Sequence, residues 1–359
     1  MSKIAEERLA EYLEKNHLDG FYITDPNNVR YISSYTGSDS FLLITRSKKY
    51  VISDARYTEQ LAMECPDYEV VEYRKMGNGS VPFAAAFIAN QDGLQTLAYE
   101  YDKTMISEYD TLKNNYKGEI VPLTGVIEEF RSLKLPIEIE YQRASCEIAS
   151  RAYEMIIKDI RVGKTEKELA ANLQRYMVLL GADTMPYGNI LISGARTSLL
   201  HGIPSSKSIE YGDFVLMDYG CQYNGYMSDM TRTLVVGKAN AKQREMYDYE
   251  LKMSEAMIAA MKPGVMVKDV YDAAITPIKN TEYLQYFYSG IGHGIGLYVH
   301  EVPFINPKGI RRLQPTNVVT AEPGMYIPGW GGVRIEDQIL ITENGNENLI
   351  SATKELIEL

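Results

Sequence analysis

The sequence predicts a protein of mixed class in two domains, an α/β domain over residues 1–127 followed by an α+β domain over residues 128–359. Three observations predict it. A chain of 359 residues exceeds what one small core organises, so two domains is the default expectation. The first third alternates short β-like runs with helical patterns, which argues for α/β layering. Around Arg131-Ser132-Leu133-Lys134 the pattern changes to long helices, which puts the boundary near 125–131.

Ile4, Leu9, Tyr12 and Leu13 mark one face of an opening helix. Strands are expected at GFYIT (20–24), at FLLIT and YVIS flanking a charged turn, at YEVVEY (68–73) and at TLAYEY (96–101). Helical stretches near 57–64, 80–91 and 104–114 separate them. In the second domain a long helix over 137–161 ends at a Gly163 turn. Thr165 then opens a capping box with Glu168, because its hydroxyl can accept from the third backbone N–H while the Glu side chain reaches back. That helix turns Leu169, Leu173, Tyr176 and Leu180 inward and stops at Gly181. FVLMDYGCQYNGYMSDMTRTLVV reads as a β-hairpin with Asn224-Gly225 at its tip. Long helices near 242–262 and 267–279 follow, and GVRIEDQILIT reads as a strand covered on both faces.

Composition excludes several classes. With 45% hydrophobic and 24% charged residues the chain can build sizeable cores and lies far from disorder. A net charge of −11 argues against nucleic acid or anionic membranes as partners. Cys65, Cys146 and Cys221 are odd in number and widely spaced, which reads as buried reduced thiols of a cytoplasmic protein. MSKIAEERLAEYLEKNHLDG lacks an apolar signal core, and no later stretch is apolar enough to span a bilayer.

Five residues carry the chemistry: Asp218, Asp229, His293, Glu322 and Glu336. They sit in LMDYG, MSDMT, GIGHGIG, TAEPGMY and VRIEDQ, each an apolar or Gly-rich stretch. Gathering four carboxylates in such surroundings is prohibitive unless cations neutralise them. Two divalent ions would balance four negative charges. Oxygen-rich ligation with one imidazole suits manganese foremost, with cobalt or zinc as alternatives, so the pattern points to a two-metal hydrolytic centre. With the hairpin centred on Asn224-Gly225, Asp229 lies opposite Gly220 and projects from the same face as Asp218. His17 reads as plain surface, and Asp337 as a structural ion-pair partner.

These motifs resemble the pita-bread metallopeptidases, the family of methionine aminopeptidase, aminopeptidase P and prolidase, over essentially all of 131–359. NVRYISSYTGSDSFLLI and SDARYTEQ resemble segments of the N-terminal domain that the proline-specific branch shares with creatinase. Methionine aminopeptidases lack that domain and creatinase lacks the metal ligands, so having both points to the Xaa-Pro-cleaving branch. The resemblance implies a creatinase-like α/β domain followed by a pita-bread catalytic domain. It implies that Asp218 binds one ion, that Asp229 and Glu336 bridge two, and that His293 and Glu322 complete the other shell. His201, in SGARTSLLHGIPS, resembles the histidine that closes over substrate near the proline. His300, in LYVHE, resembles the one that hydrogen-bonds the scissile amide, and Arg334 the arginine supporting the carboxylates and the substrate; Tyr326 is a candidate beside them. The expected reaction is hydrolysis of the Xaa-Pro bond of a peptide with proline at position two, by a hydroxide held between the ions, with Glu322 relaying its proton. The resemblance also implies a homodimer, with the segment near Asp39 approaching the partner's cleft.

Three positions depart from the family pattern. Ser289 replaces a frequent histidine, Tyr298 a frequent acid, and Phe304 an arginine that some dipeptidases use for the substrate carboxylate. Arg311 or Arg312 could substitute for that cation. Phe304 favours an aminopeptidase acting on longer peptides over a strict Xaa-Pro dipeptidase. A peptide-binding homologue without catalysis is the rival from another class, and it usually lacks ligands that this chain has.

Overall fold

In the computed structural model residues 2–185 and 188–359 are described, and the chain divides into units Met1–Arg131 and Ser132–Leu359. The first unit opens with α1 (Ser2–Lys15), whose buried stripe is Ala5, Leu9 and Leu13. That i, i+4, i+8 spacing is one helical face, and it leaves Ile4, expected inside, 46% exposed. Next come β1 (Gly20–Ile23), α2 (Pro26–Ser33), β2 (Phe41–Thr45), β3 (Lys49–Ser53), α3 (Thr58–Glu64) and β4 (Glu69–Glu72). Then follow α4 (Val81–Gln91), β5 (Thr96–Glu100), α5 (Ile106–Asn115), β6 (Glu119–Leu123) and α6 (Val126–Ser132). The strands form one mixed sheet in the order β4-β3-β2-β1-β5-β6. Tyr22, Leu43, Ile52 and Leu97 of the sheet pack against Ala84, Ala85 and Ile88 of α4, where small side chains let helix and sheet approach closely.

α2, β6 and α6 were not anticipated from the sequence. α2 is nucleated locally: the Asp25 side chain accepts from the N–H groups of Asn27 and Asn28, and Pro26 fills the first turn. β6 contains Pro122, which cannot donate to a ladder, and it lies at the sheet edge where that loss is tolerated.

The second unit begins with α7 (Pro136–Ile156), five residues shorter at its C-terminal end than the expected stretch to 161, and α8 (Glu166–Leu179). The Thr165–Glu168 capping box is present in both directions, with Thr165 N to Glu168 Oε2 at 2.8 Å and Glu168 N to Thr165 Oγ1 at 3.2 Å. β7 (Ile190–Ser193), β8 (Phe214–Tyr219) and β11 (Met230–Val235) form an antiparallel sheet in the order β11-β8-β7. Between β8 and β11 the short pair β9 (Gln222–Tyr223) and β10 (Tyr226–Met227) ends in Asn224-Gly225. Both turn residues have positive φ, 49° and 86°, as a two-residue type I′ turn requires.

α9 (Ala241–Ala260) and α10 (Val267–Ile275) come next. The remaining strands are β12 (His293–Gly294), β13 (Glu301–Phe304), β14 (Val318–Ala321), β15 (Gly324–Ile327), β16 (Gly331–Arg334), β17 (Asp337–Ile341) and β18 (Asn346–Asn348). They form a five-stranded sheet, β13-β12-β14-β17-β18, and a separate pair, β15-β16. The strand expected over GVRIEDQILIT is therefore broken at Ile335-Glu336, where the chain passes from one sheet to the other. Its flanking residues Val333, Ile335, Ile339 and Leu340 are all buried, so both faces are covered. α7 and α8 pack Ala149, Tyr153, Leu169, Leu173 and Met177 against Val215 and Met217 of β8. Among the described residues no helix is long and apolar enough to cross a membrane.

Candidate metal centre

The hairpin sets the first two carboxylates. Thr231 pairs with Asp218 and Met230 with Tyr219, and this register places Asp229 opposite Gly220 without a bulge. Asp229 is 5% exposed, and its N–H donates to Gln338 Oε1 at 3.1 Å. His293 opens β12, and its backbone N–H donates to Thr320 Oγ1 at 3.1 Å. Its Nδ1 lies 3.0 Å from the Gly294 carbonyl. A carbonyl only accepts, so Nδ1 carries the proton and Nε2 faces the carboxylates as a ligand atom. Glu322 follows β14 and precedes Pro323, and its Oε1 lies 3.1 Å from His293 Nε2. Glu336 sits in the break between β16 and β17, tied by its N–H to Thr231 O at 3.0 Å.

Asp229, His293 and Glu336 each offer a ligand atom within 4.8 Å of the others. Glu322 joins through His293, whose Nε2 is also 3.9 Å from Asp229 Oδ2. Asp218 is paired with Arg334 Nη2 and lines the same cavity walls as His293 and Glu322. All five expected ligands thus converge on one region of the second unit.

The electrostatics of this group are incomplete without a cation. Burial, then the neighbouring Asp229, Glu322 and Asp218, push the Glu336 carboxyl well above its ordinary range. Glu336 Oε2 accepts from Thr231 Oγ1 at 2.7 Å, while Oε1 is buried with no hydrogen-bond partner among the described residues. Burial raises Asp218 too, and Arg334 only partly opposes it. Burial disfavours a charged His293, yet Glu322 and Asp229 lift it to about 9. The same carboxylates that favour a proton on Nε2 favour a metal ion there. An orphaned buried oxygen among hard donors and one imidazole fits a divalent ion.

Two cavities open onto the cluster, of about 270 and about 620 Å³. His201, Asp218, His293, His300 and Glu322 line both. His201 and His300 are exposed at the walls, and the His300 ring stands edge-on to His293 with centroids 4.4 Å apart. Burial and the His293 charge hold His300 below the usual imidazole value, so it is neutral near pH 7. Arg334 donates to Tyr326 OH at 2.6 Å and to Thr231 Oγ1 at 3.0 Å, which links it to the carboxylates on two sides.

Of the departing positions, Phe304 is 46% exposed and lines the smaller cavity. Tyr298 is 37% exposed, and Ser289 is exposed and lines neither cavity. Neither Arg311 nor Arg312 lines them among the described residues; Arg312 instead donates to Gly264 O at 2.7 Å. The substitute cation sought there is not brought to the cavities. Asp337 pairs with Arg232 at 2.7 Å and Lys354 at 2.9 Å, a structural ion pair as expected. Thr231, Thr320 and Gln338, which hydrogen-bond to the candidate ligands, were missed. Each lies two residues from a candidate ligand, and the period-two rule for strands was the signal available.

The sequence profile of metallopeptidase family M24 matches residues 140–343, and that of the creatinase/prolidase N-terminal domain matches residues 7–133. The chain belongs to metallopeptidase family M24. This M24 chain is 36% identical over 354 residues to an Xaa-Pro dipeptidase of Pyrococcus furiosus, covering 98% of itself and 99% of that protein. It superposes on the solved Xaa-Pro dipeptidase from Bacillus anthracis with a TM-score of 0.95 at 35% identity, covering 100% of each chain. The X-Pro aminopeptidase from Thermotoga maritima gives 0.91 at 30% identity, covering 99% of each. The creatinase-type domain followed by the pita-bread domain is thus the fold, and the M24 chain is a metal-dependent peptidase.

Proposed function

We propose that this M24 peptidase removes the N-terminal residue of peptides whose second residue is proline, as an Xaa-Pro aminopeptidase. The observation that carries the reading is that Asp218, His293 and Glu322 of the cluster line both cavities, with His201 and His300 beside them, so a peptide entering there would meet carboxylates and imidazoles together. Asp218, Asp229, His293, Glu322 and Glu336 would hold divalent ions, and manganese is the ion this donor set suits best. When bound, divalent ions supply Lewis acidity, making water nucleophilic near neutral pH. Glu322 Oε accepts the proton of the attacking water and passes it to the leaving nitrogen. His300, neutral and facing the cavity, donates to the developing oxyanion. His201 closes on the proline side, and Arg334 fixes Asp218 while keeping Tyr326 in place. Proline offers no N–H, so a recess that asks for none accepts it.

The relatives named Xaa-Pro dipeptidases support a second reading, strict dipeptidase activity. Phe304 in the smaller cavity speaks for longer peptides, because it offers no cation to a free carboxylate. Chelation, reconstitution with manganese, cobalt or zinc, and assay of a Xaa-Pro-Xaa tripeptide beside a Xaa-Pro dipeptide test both. Faster tripeptide turnover is expected. Turnover of the dipeptide alone selects the second reading, and turnover of neither by any metal form removes both.

A further inference from the structure

Glu166 has no place in the reaction described above, yet it is among the most heavily bonded carboxylates of the second unit. Its side chain is 0% exposed, in the first turn of α8. Oε1 accepts from Ser193 N–H at 2.8 Å and Ser193 Oγ at 3.0 Å. Oε2 accepts from Ser205 N–H at 2.9 Å and Ser205 Oγ at 2.7 Å. Arg196 Nε lies 3.2 Å from each oxygen, and Arg196 Nη2 donates to Ile203 O at 2.7 Å.

Ser193 and Ser205 bracket the segment that carries His201. One carboxylate therefore ties both ends of that segment, and Arg196 crosses it two residues from the histidine. The backbone adds Lys167 N to Ser205 O and Glu166 N to Lys207 O, both at 3.1 Å. The His201 ring itself makes no hydrogen bond among the described residues, so its location is inherited from the segment. A carboxylate offers only acceptors, and every group facing this one is a donor. Its burial is offset by charge-assisted bonds, an arrangement that holds a loop in a single geometry.

We propose that Glu166 is a positioning residue for the peptidase reaction, setting where His201 stands at the cavities by clamping both ends of the segment that bears it. This rests on the reading that His201 meets substrate. Glu166→Gln keeps the volume but turns an NH2 group toward donors, which releases one end of the segment. The test uses the full chain loaded with manganese and a Xaa-Pro-Xaa tripeptide, in wild type, Glu166→Gln, His201→Ala and the double variant.

Amide exchange in 194–205 should accelerate in Glu166→Gln while α9 stays unchanged. kcat/KM should fall about 10- to 100-fold, the scale of a misplaced catalytic contact, with metal content intact. In the His201→Ala background the same substitution should add no further loss, because both act through one group. An equal loss in both backgrounds, or a loss explained by missing metal, overturns the proposal and leaves the functional reading standing. Wild-type activity of His201→Ala removes the assigned role of His201 and this inference with it, without touching the metal ligands. Should Glu166→Gln fail to fold, Arg196→Ala carries the same cycle, since that side chain is 32% exposed and loses only the crossing bond and its share of the clamp.

Discussion

Glu336 concentrates the problem that defines the site. It is 1% exposed, one oxygen has no hydrogen-bond partner among the described residues, and four charged neighbours surround it. Glu336→Ala should abolish turnover and metal retention together. Thr231→Val, which removes the donor to Oε2 and the acceptor for Arg334 Nε, should weaken metal affinity by about 10- to 100-fold, the usual scale for a group that orients a ligand. Equilibrium dialysis with manganese checks both, and full metal binding by Glu336→Ala would take it out of the ligand set. The candidate ligands stood out in the sequence because carboxylates are conspicuous inside apolar or Gly-rich stretches. Thr231, Thr320 and Gln338 were not, since a threonine or glutamine on a strand looks like ordinary alternation until its partner is known. Glu166 was hidden for another reason: an acid in the first turn of a helix is expected there for the helix dipole alone.

Among the elements, α8 has the clearest local origin. Thr165→Ala removes the hydroxyl that caps Glu168 N–H and should lower stability by about 1 kcal/mol at pH 7 by urea unfolding. The cap is also pH-sensitive. The Thr165 backbone N–H and hydroxyl, with Lys164, hold the Glu168 carboxyl at about 2 against an ordinary 4.5. A folded-state value below the unfolded one stabilises above about 4.5, and that contribution disappears as pH falls toward about 2. The gap between wild type and Thr165→Ala should therefore narrow in acid, and a gap that widens there would refute the assignment. Elements with such local codes, the capped helix and the Asn224-Gly225 hairpin, were readable. The break at Ile335-Glu336 was not, because nothing in GVRIEDQILIT tells a continuous strand from two strands that belong to different sheets.

At the scale of the molecule, every candidate ligand lies in Ser132–Leu359. A ligand that binds only the folded state stabilises by RT ln(1 + [L]/Kd), about 2.7 kcal/mol at a hundredfold excess over Kd. Hydrogen exchange measured with manganese and after chelation should show added protection in that unit, greatest around β12, β14 and the hairpin. The sheet of the first unit should change little. Protection that rises equally across Met1–Arg131 would contradict a centre confined to the second unit. The change from an alternating first third to the long helices after it was visible in the sequence. How seven late strands divide between a five-stranded sheet and a separate pair rests on pairings distant in sequence, which no local pattern encodes.

The break at Ile335-Glu336 makes the acidic cluster a joint product of two sheets. Glu336 comes within ligand distance of Asp229 and His293 only because the chain leaves β16 and enters β17 at that point, held to the hairpin through Thr231. The spacing of the cluster's acceptors is therefore set by how those two sheets meet, and not by any one loop.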